Sequence, residues 1–570
     1  MNLILNNIHL YFHTLRFLSS KQIFYRLFYT IKRKYYKIIN PLINKKLSKR
    51  LKPNKLNYIE LKPNPITHYT SSYEKLISNE FTFINQTISF GNKVDWHYRP
   101  LNLGTRLWKL NLNYHEYLID IASLYKKTQK TKYINYIQKH IKEWTEQNPF
   151  GKGGYYKDNW NAYAISLRSI AWIKVYSLLY ESLEKDFKTY FLNVLRVQLD
   201  YLKNNLEFDL KGNHLLENGF SLLFGAIFFT DEKLYSKAKK ILYEQLEEQI
   251  LEDGGHFELS PMYHQIILHR LLDGINLLQN NHHFENQNEL LQLMEEKAKK
   301  MIGWLNQMTF SNGQIPMLND SASGIAPTTQ KLNNYAKSLD LTTETKPKEI
   351  RSNQCNLDDS GYRRFNGTNY ECIIDIGPIA PSYQPGHAHA DTFNFVLNLY
   401  NQPYIVDTGV STYNPGETRL KERGTSAHNT VTIMDENSSE IWGSFRVARR
   451  AKVDIIKDHE NHFIAQHNGY RKLKTIHQRE WSFSESQINI LDTIKGKCKE
   501  GKAHFWISPS IIPEIKNQKV YSENAVMTFQ NAVSVELVRT QIPDGFNLFA
   551  DNYKIEVVFK HYLKTTIKIR

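Results

Sequence analysis

The sequence predicts a helical domain followed by an antiparallel β domain, and three observations carry that prediction. The chain has 570 residues, too many for one hydrophobic core, so two or three domains are expected. Apolar residues recur at i, i+3, i+4 from about residue 100 to 335, then at every second residue from about 360 onward. Those are the periods of amphipathic helices and of strands with one buried face. Gly- and Asn-rich loops also interrupt the helical half roughly every 40 to 60 residues, about a helical hairpin apart. Stacked helix pairs with functional loops along one rim are the expected result.

In chain order, residues 1–55 form a basic amphipathic arm, 56–340 the helical domain, 341–355 a Thr-, Lys- and Pro-bearing linker, and 356–570 the β domain. The helical segments include YINYIQKHIKEWTEQ, SLRSIAWIKVYSLLY, KLYSKAKKILYEQLEEQI and HQIILHRLLDGINLLQ. Among the loops between helices are DLKGNHLLENG, LEDGGHFELSP and FSNGQIPMLNDSASG. The strands include YECIIDIG, FNFVLNLY, PYIVDTG, HNTVTIM and INILDTI, with turn residues between them, the pattern of an antiparallel sandwich.

Charge is distributed unevenly. The net charge is +16, but residues 1–55 hold 13 Lys or Arg and no acid; 16 − 13 leaves +3 for the other 515 residues. The arm mixes these cations with Phe, Tyr, Ile and Leu. It is suited to an anionic membrane surface or to a partner such as polysaccharide-synthesis machinery, the alternative being a basic helix packed on the main body. With the charge confined to the arm, no nucleic-acid-binding face is expected. No uncharged apolar run of 18 residues occurs, so no transmembrane helix is expected. Cys355, Cys372 and Cys498 are an odd, widely spaced set that argues against a disulfide framework or a Cys-based zinc site. No secretory signal is recognisable, so a cytoplasmic location, peripheral at the inner membrane face, is expected.

Several polar clusters carry chemistry. In GHAHAD, His387 and His389 stand at i, i+2 and share one face of a strand. Asp407 closes a later strand and His428 opens another, and two imidazoles with one carboxylate at strand ends make a ligand set that zinc prefers. GNHLLENG places Asn213, His214 and Glu217 at a loop-to-helix junction, where Asn213 can cap the helix or donate to an anionic group. SPMYH puts Tyr263 at the start of another helix, as a packing residue or as a phenol acting as acid or base. ENSSEIWGSFRVARRAK offers Trp442, Arg446, Arg449 and Arg450, suited to an acidic sugar or to a solvated strand edge.

The motifs LWKLNLNYHEYL, WNAYAISLRSIAW, GNHLLENG, SPMYH, GHAHAD, VDTG and SAHNTV occur in the order seen in the heparinase II/III-like polysaccharide lyases, which include oligoalginate lyases. This chain resembles that family from about residue 100 to 450. The resemblance implies an N-terminal incomplete α/α toroid followed by a C-terminal antiparallel β-sandwich. It also implies β-elimination on a uronic-acid-containing acidic polysaccharide. By the match, Asn213 and His214 would hold the uronate carboxylate, Tyr263 would act as base, as acid to O4 or as both, and His387 would be its partner. Glu217, Arg446, Trp442, Tyr114 and Trp160 would bind or support substrate, and His389, Asp407 and His428 would hold a structural zinc ion. The family's degradative members are exported, whereas this chain carries a basic front, which favours a role in bacterial surface or exopolysaccharide metabolism. The alternatives are a uronyl C5-epimerase on the same scaffold and a non-catalytic glycan-binding or assembly protein.

Overall fold

The computed structural model describes residues 2–47, 58–64, 66, 72–98, 106–150, 158–341 and 354–570. The arm forms two helices, α1 (Asn2–Leu15) and α2 (Ser20–Leu47). A short helix α3 (Tyr73–Ile77) and an unexpected hairpin, β1 (Glu80–Phe83) with β2 (Gln86–Ser89), lead into the helical part. That part comprises α4 (Arg106–Tyr114), α5 (Tyr117–Thr128), α6 (Thr131–Gln147), α7 (Ala162–Leu179) and α8 (Lys185–Asn204), then α9 (Gly212–Phe229) and α10 (Glu232–Gln249). It ends with α11 (Pro261–Asn280), α12 (Gln287–Met308) and α13 (Thr329–Ser338).

Polar caps set several helix starts. The Asn161, Asp231, Ser260 and Thr328 side chains accept backbone N–H bonds at the heads of α7, α10, α11 and α13, which satisfies donors that have no partner within the helix. Helix α9 is apolar all round (FSLLFGAIFF), and it runs buried between α7, α8, α10 and α11. The helices form an incomplete α/α toroid.

The β part contains two large antiparallel sheets and, among the described residues, one two-residue ladder, Ile441–Trp442 with Arg446–Val447. The first takes its five strands in sequence: β3 (Gln354–Leu357), β4 (Tyr362–Asn366), β5 (Tyr370–Asp375), β6 (Phe395–Leu399) and β7 (Gln402–Ile405). Both faces of this sheet are covered. Ile373 and Val396 pack into the helical core, while Cys372, Ile374, Phe395 and Leu397 face the second sheet. This explains why β6 is buried at every position. The second sheet has ten strands, and its centre is a long hairpin, Ala525–Pro543 with Phe549–Ile569. The tip of that hairpin returns to the helical part. Asn85 Nδ2 donates to Phe546 O at 3.0 Å and Asn547 Nδ2 to Ile84 O at 2.8 Å, while the Asn547 N–H holds the tip to Ser411 O of the β part at 3.0 Å.

Most of the linker expected at 341–355 lies outside the described residues. Its last two, Gln354 and Cys355, already pair with Phe365 and Arg364 as part of β3.

Candidate active site

Three loops of the helical part and two segments of the β part, one carrying His387 and one carrying Tyr413 and Arg419, meet where the two parts join, the junction called the cleft below. Ser260 organises the first junction: its hydroxyl accepts from the Tyr263 N–H at 3.3 Å and donates to Asp320 O at 3.0 Å. The Asp320 N–H donates to His387 O at 3.1 Å, which ties the β-domain loop to the same point. Three of the acids and amides that the helical part contributes here adjoin a left-handed backbone position. Lys211 and Gly212 (φ 62° and 56°) come before Asn213, Leu259 (φ 57°) follows Glu258, and Asn319 (φ 54°) comes before Asp320. For a leucine that conformation is costly, and such strain persists only where the surroundings impose it. At Gly212 (φ 56°) a Cβ would stand 2.5 Å from Glu258 Oε1, so a larger residue would have to displace the carboxylate that holds Asn213.

Tyr263 and His387 lie together, ring centroids 3.9 Å apart, although they come from different parts of the chain. The Tyr263 hydroxyl shares a hydrogen bond of 3.1 Å with that of Tyr413. Burial, then the neighbouring Tyr413, Asp320 and Glu258, push the Tyr263 phenol well above its ordinary value, so it is neutral at neutral pH. His387 Nδ1 stands 2.8 Å from Asp320 Oδ2, and its Nε2 lies 3.6 Å from Glu258 Oε2. Asp320 is fully buried and accepts from both arms of Arg419 (2.5 and 2.7 Å), while His389 Nε2 lies 2.9 Å from it. Burial raises the Asp320 carboxyl, but Arg419 and the two imidazoles outweigh that and hold it well below the usual carboxylate range. Glu258 accepts from the Asn213 N–H at 3.1 Å and from its Nδ2 at 3.2 Å.

His214 sits on the cleft, its ring 4.5 Å from that of Tyr163. Its Nδ1 is 3.0 Å from Glu207 Oε1, and against burial the Glu207 charge raises its pKa. Glu217 lies beneath and does not reach the cleft. It is fully buried and accepts two bonds from Arg270 Nε (3.1 and 3.0 Å), and Arg270 continues to Asp273 and Glu116. Glu217 thus ties α9, the helix carrying His214, to Arg270 of α11.

The Heparinase II/III N-terminus family model matches residues 34–346, and the Heparinase II/III-like, C-terminal model matches 350–560. The chain belongs to the heparinase II/III-like family. A heparin-sulfate lyase of Bacteroides thetaiotaomicron is 22% identical over 437 residues, 70% of this chain and 60% of that protein. One from Pedobacter heparinus is 23% identical over 379 residues, 61% and 55% of the two chains. The chain thus spans a little over half the length of these curated relatives. Among solved structures, a heparinase III is similar with a TM-score of 0.70 at 19% identity, covering 84% of this chain and 79% of that one. A heparan sulfate lyase mutant from Pedobacter heparinus has a TM-score of 0.61 at 18% identity, covering 94% and 87%. These likenesses establish the fold.

Within this heparinase II/III-like fold, several residues expected at the substrate lie elsewhere. Trp160 is a core residue: its Nε1 donates to Asn148 O at 3.0 Å and its ring packs on Phe150 and Tyr201. Tyr114 is buried beside Tyr163, one ring behind the cleft. Trp442 and Arg446 face the arm. Trp442 Nε1 donates to Thr14 Oγ1 at 3.0 Å, and Arg446 lies over Trp442 and Tyr11. The neighbouring Phe445 is the one that faces His387, with centroids 6.3 Å apart. Asp320, Glu258, Glu207, Tyr413 and Arg419 were not anticipated. Three of them are acids inside or beside the Gly-rich rim loops, the one signal that marked them.

The expected zinc ligands are neighbours, but not in the arrangement expected. The His389 and His428 rings lie 5.2 Å apart, and His389 Nδ1 and His428 Nε2 are buried without a hydrogen-bond partner. Asp407 stands behind His428, Oδ2 to Nδ1 at 2.8 Å, and also accepts from Asn394 and Gly409. That is the place of a carboxylate that orients a metal-binding imidazole. Among the described residues, a buried carboxylate oxygen of Asp391 is left without a hydrogen-bond partner. Among the described residues no group of three such side chains is already set to hold an ion.

Proposed function

We propose that this chain is a polysaccharide lyase that cleaves a uronic-acid-containing acidic polysaccharide by β-elimination. The observation that carries the reading is the contact of Tyr263 with His387 across the cleft, beside Asn213 and His214. Elimination needs the carboxylate charge offset, the C5 proton removed and the C4–O4 bond broken with a proton delivered to O4. Asn213 Nδ2 and the His214 imidazole are donors placed for the carboxylate, and they offset charge that grows in the transition state. His387, with Nδ1 held by Asp320, presents Nε2 as the base for the C5 proton. Tyr263 enters as a neutral phenol and gives its proton to O4. The C5–H electron pair becomes the C4=C5 double bond as O4 leaves.

The test is incubation with a panel of acidic polysaccharides, heparan sulfate included. Products with an unsaturated, ultraviolet-absorbing end are expected. Unchanged chain length with inverted C5 would instead identify an epimerase, and binding without turnover a glycan-binding protein.

We further propose that His389 and His428 bind zinc through Nδ1 and Nε2, with Asp391 or Asp407 as the carboxylate. The donor set suits that ion, and zinc there would cross-link the strand-end loops. Purified protein should then contain one zinc per chain, and His389→Ala should remove it and lower the thermal midpoint. Parent protein without stoichiometric zinc would overturn this assignment.

A further inference from the structure

The arm has two faces with different chemistry. Its inner face is paired with both domains. Gln22 Nε2 donates to Leu210 O and Tyr383 O (3.3 and 3.4 Å), the Tyr29 hydroxyl donates to Leu206 O, and Tyr25 stacks on Phe208 at 4.8 Å. Its outer face is apolar and open to solvent, with Phe12, Leu15, Phe24, Leu27, Ile31 and Tyr35 at helical spacing. Ile31 is 69% exposed and Phe12 64%. Isolated exposed apolar residues need no explanation, but a row of this length does. The exposed cations Arg16, Lys21, Arg33 and Lys34 accompany it.

A second feature lies beside the first. Between α1 and the β domain is a cavity of about 520 Å³ lined by Arg16, Arg449, Lys452, Arg471 and Lys472, with His13. Glu440 is the acid that reaches this group, bonded to Lys472 and 4.0 Å from Arg449, so cations outnumber it. The cavity therefore favours an anion. Among the described residues no helix is long and apolar enough to cross a membrane.

We propose that this face docks on an anionic phospholipid surface, with α1 and α2 lying in the headgroup layer and the basic cavity seating a headgroup phosphate. An interfacial helix combines an apolar row with flanking cations in this way. A sugar chain suits the row less well, because Leu, Ile and Phe side chains offer its hydroxyls no acceptor. A second copy suits it less well too, because two-fold pairing would bring two arms that carry only cations against each other.

The test is flotation of the full chain with vesicles of phosphatidylcholine alone or mixed with phosphatidylglycerol. Binding is expected only to the anionic vesicles, and it should weaken as salt rises. A Phe24→Ser/Leu27→Ser variant and a Lys452→Ala/Arg471→Ala variant should each lose on the order of tenfold in partitioning, with unchanged thermal melting. Failure to float with anionic vesicles, or equal flotation with both kinds, would overturn the proposal. So would Phe24→Ser/Leu27→Ser dispersing a dimer seen by light scattering while flotation is unchanged. An unchanged partition for Lys452→Ala/Arg471→Ala would overturn the headgroup seat.

Discussion

A Tyr263→Phe variant is expected to fold as the parent does and to lose about 10²–10⁴-fold in turnover, the usual cost of removing a general acid or base. The change deletes one oxygen. The ring keeps its place against His387, and among the described residues that oxygen bonds to Tyr413, a loss of about 1 kcal/mol. Binding should survive, because Asn213 and His214 are untouched, so the loss belongs in kcat and not in KM. The measurement is steady-state formation of unsaturated product by both proteins on a polysaccharide that the parent cleaves. Near-parental kcat would remove Tyr263 from the chemistry and leave His387 to move the proton alone.

The second large effect is expected at Asp320. It is fully buried and holds Arg419, His387 and His389 together, so Asp320→Ala leaves a buried cation without its partner. Loss of one member of such a pair costs about 3–5 kcal/mol. The sign with pH follows from its depressed carboxyl. The stabilisation is complete above the ordinary carboxylate value, ~3.9, and is lost as pH falls through the lower folded value. The stability gap between parent and Asp320→Ala, read from urea unfolding, should therefore be widest near neutral pH and close in strong acid. Asp320→Asn keeps the shape but not the charge. It should lower turnover on the order of 10²–10⁴-fold, because His387 loses the group that fixes which nitrogen carries its proton. Parent-like stability of Asp320→Ala together with parent-like turnover of Asp320→Asn would refute the role.

Much of this was legible in the sequence, for reasons that differ between residues. The change of period located the helical and β parts because burial of one face imposes its repeat on every element. Asn213, His214 and Tyr263 stand in the first turns of helices and His387 in the loop before β6, all inside motifs shared with the family, and that resemblance is what gave them roles. Asp320 and Glu258 could not be picked out. They lie 67 and 129 residues from His387 along the chain, and nothing local records which loops will meet. Arg446 was misplaced for another reason. In the two-residue strand Arg446–Val447, periodicity is too short to tell which face a side chain takes, and Phe445 has the cleft instead. The hairpin β1–β2 was missed because four-residue strands beside a helical domain leave almost no periodic signal.

The hairpin tip at Phe546–Asn547 has a consequence for how substrate enters. It grips the Ile84–Asn85 turn of the helical part on one side of the molecule, while the arm grips the 206–210 segment and the 440–450 segment on another. A hinge rotation that opened the two parts would have to break both sets of ties at once. If the chain is the lyase proposed above, these ties hold Tyr263 beside His387 before substrate arrives, and the entropy of bringing them together is lost during folding, not at each catalytic cycle. An enzyme built this way should bind at a rate set by diffusion and charge, with little gating by domain motion.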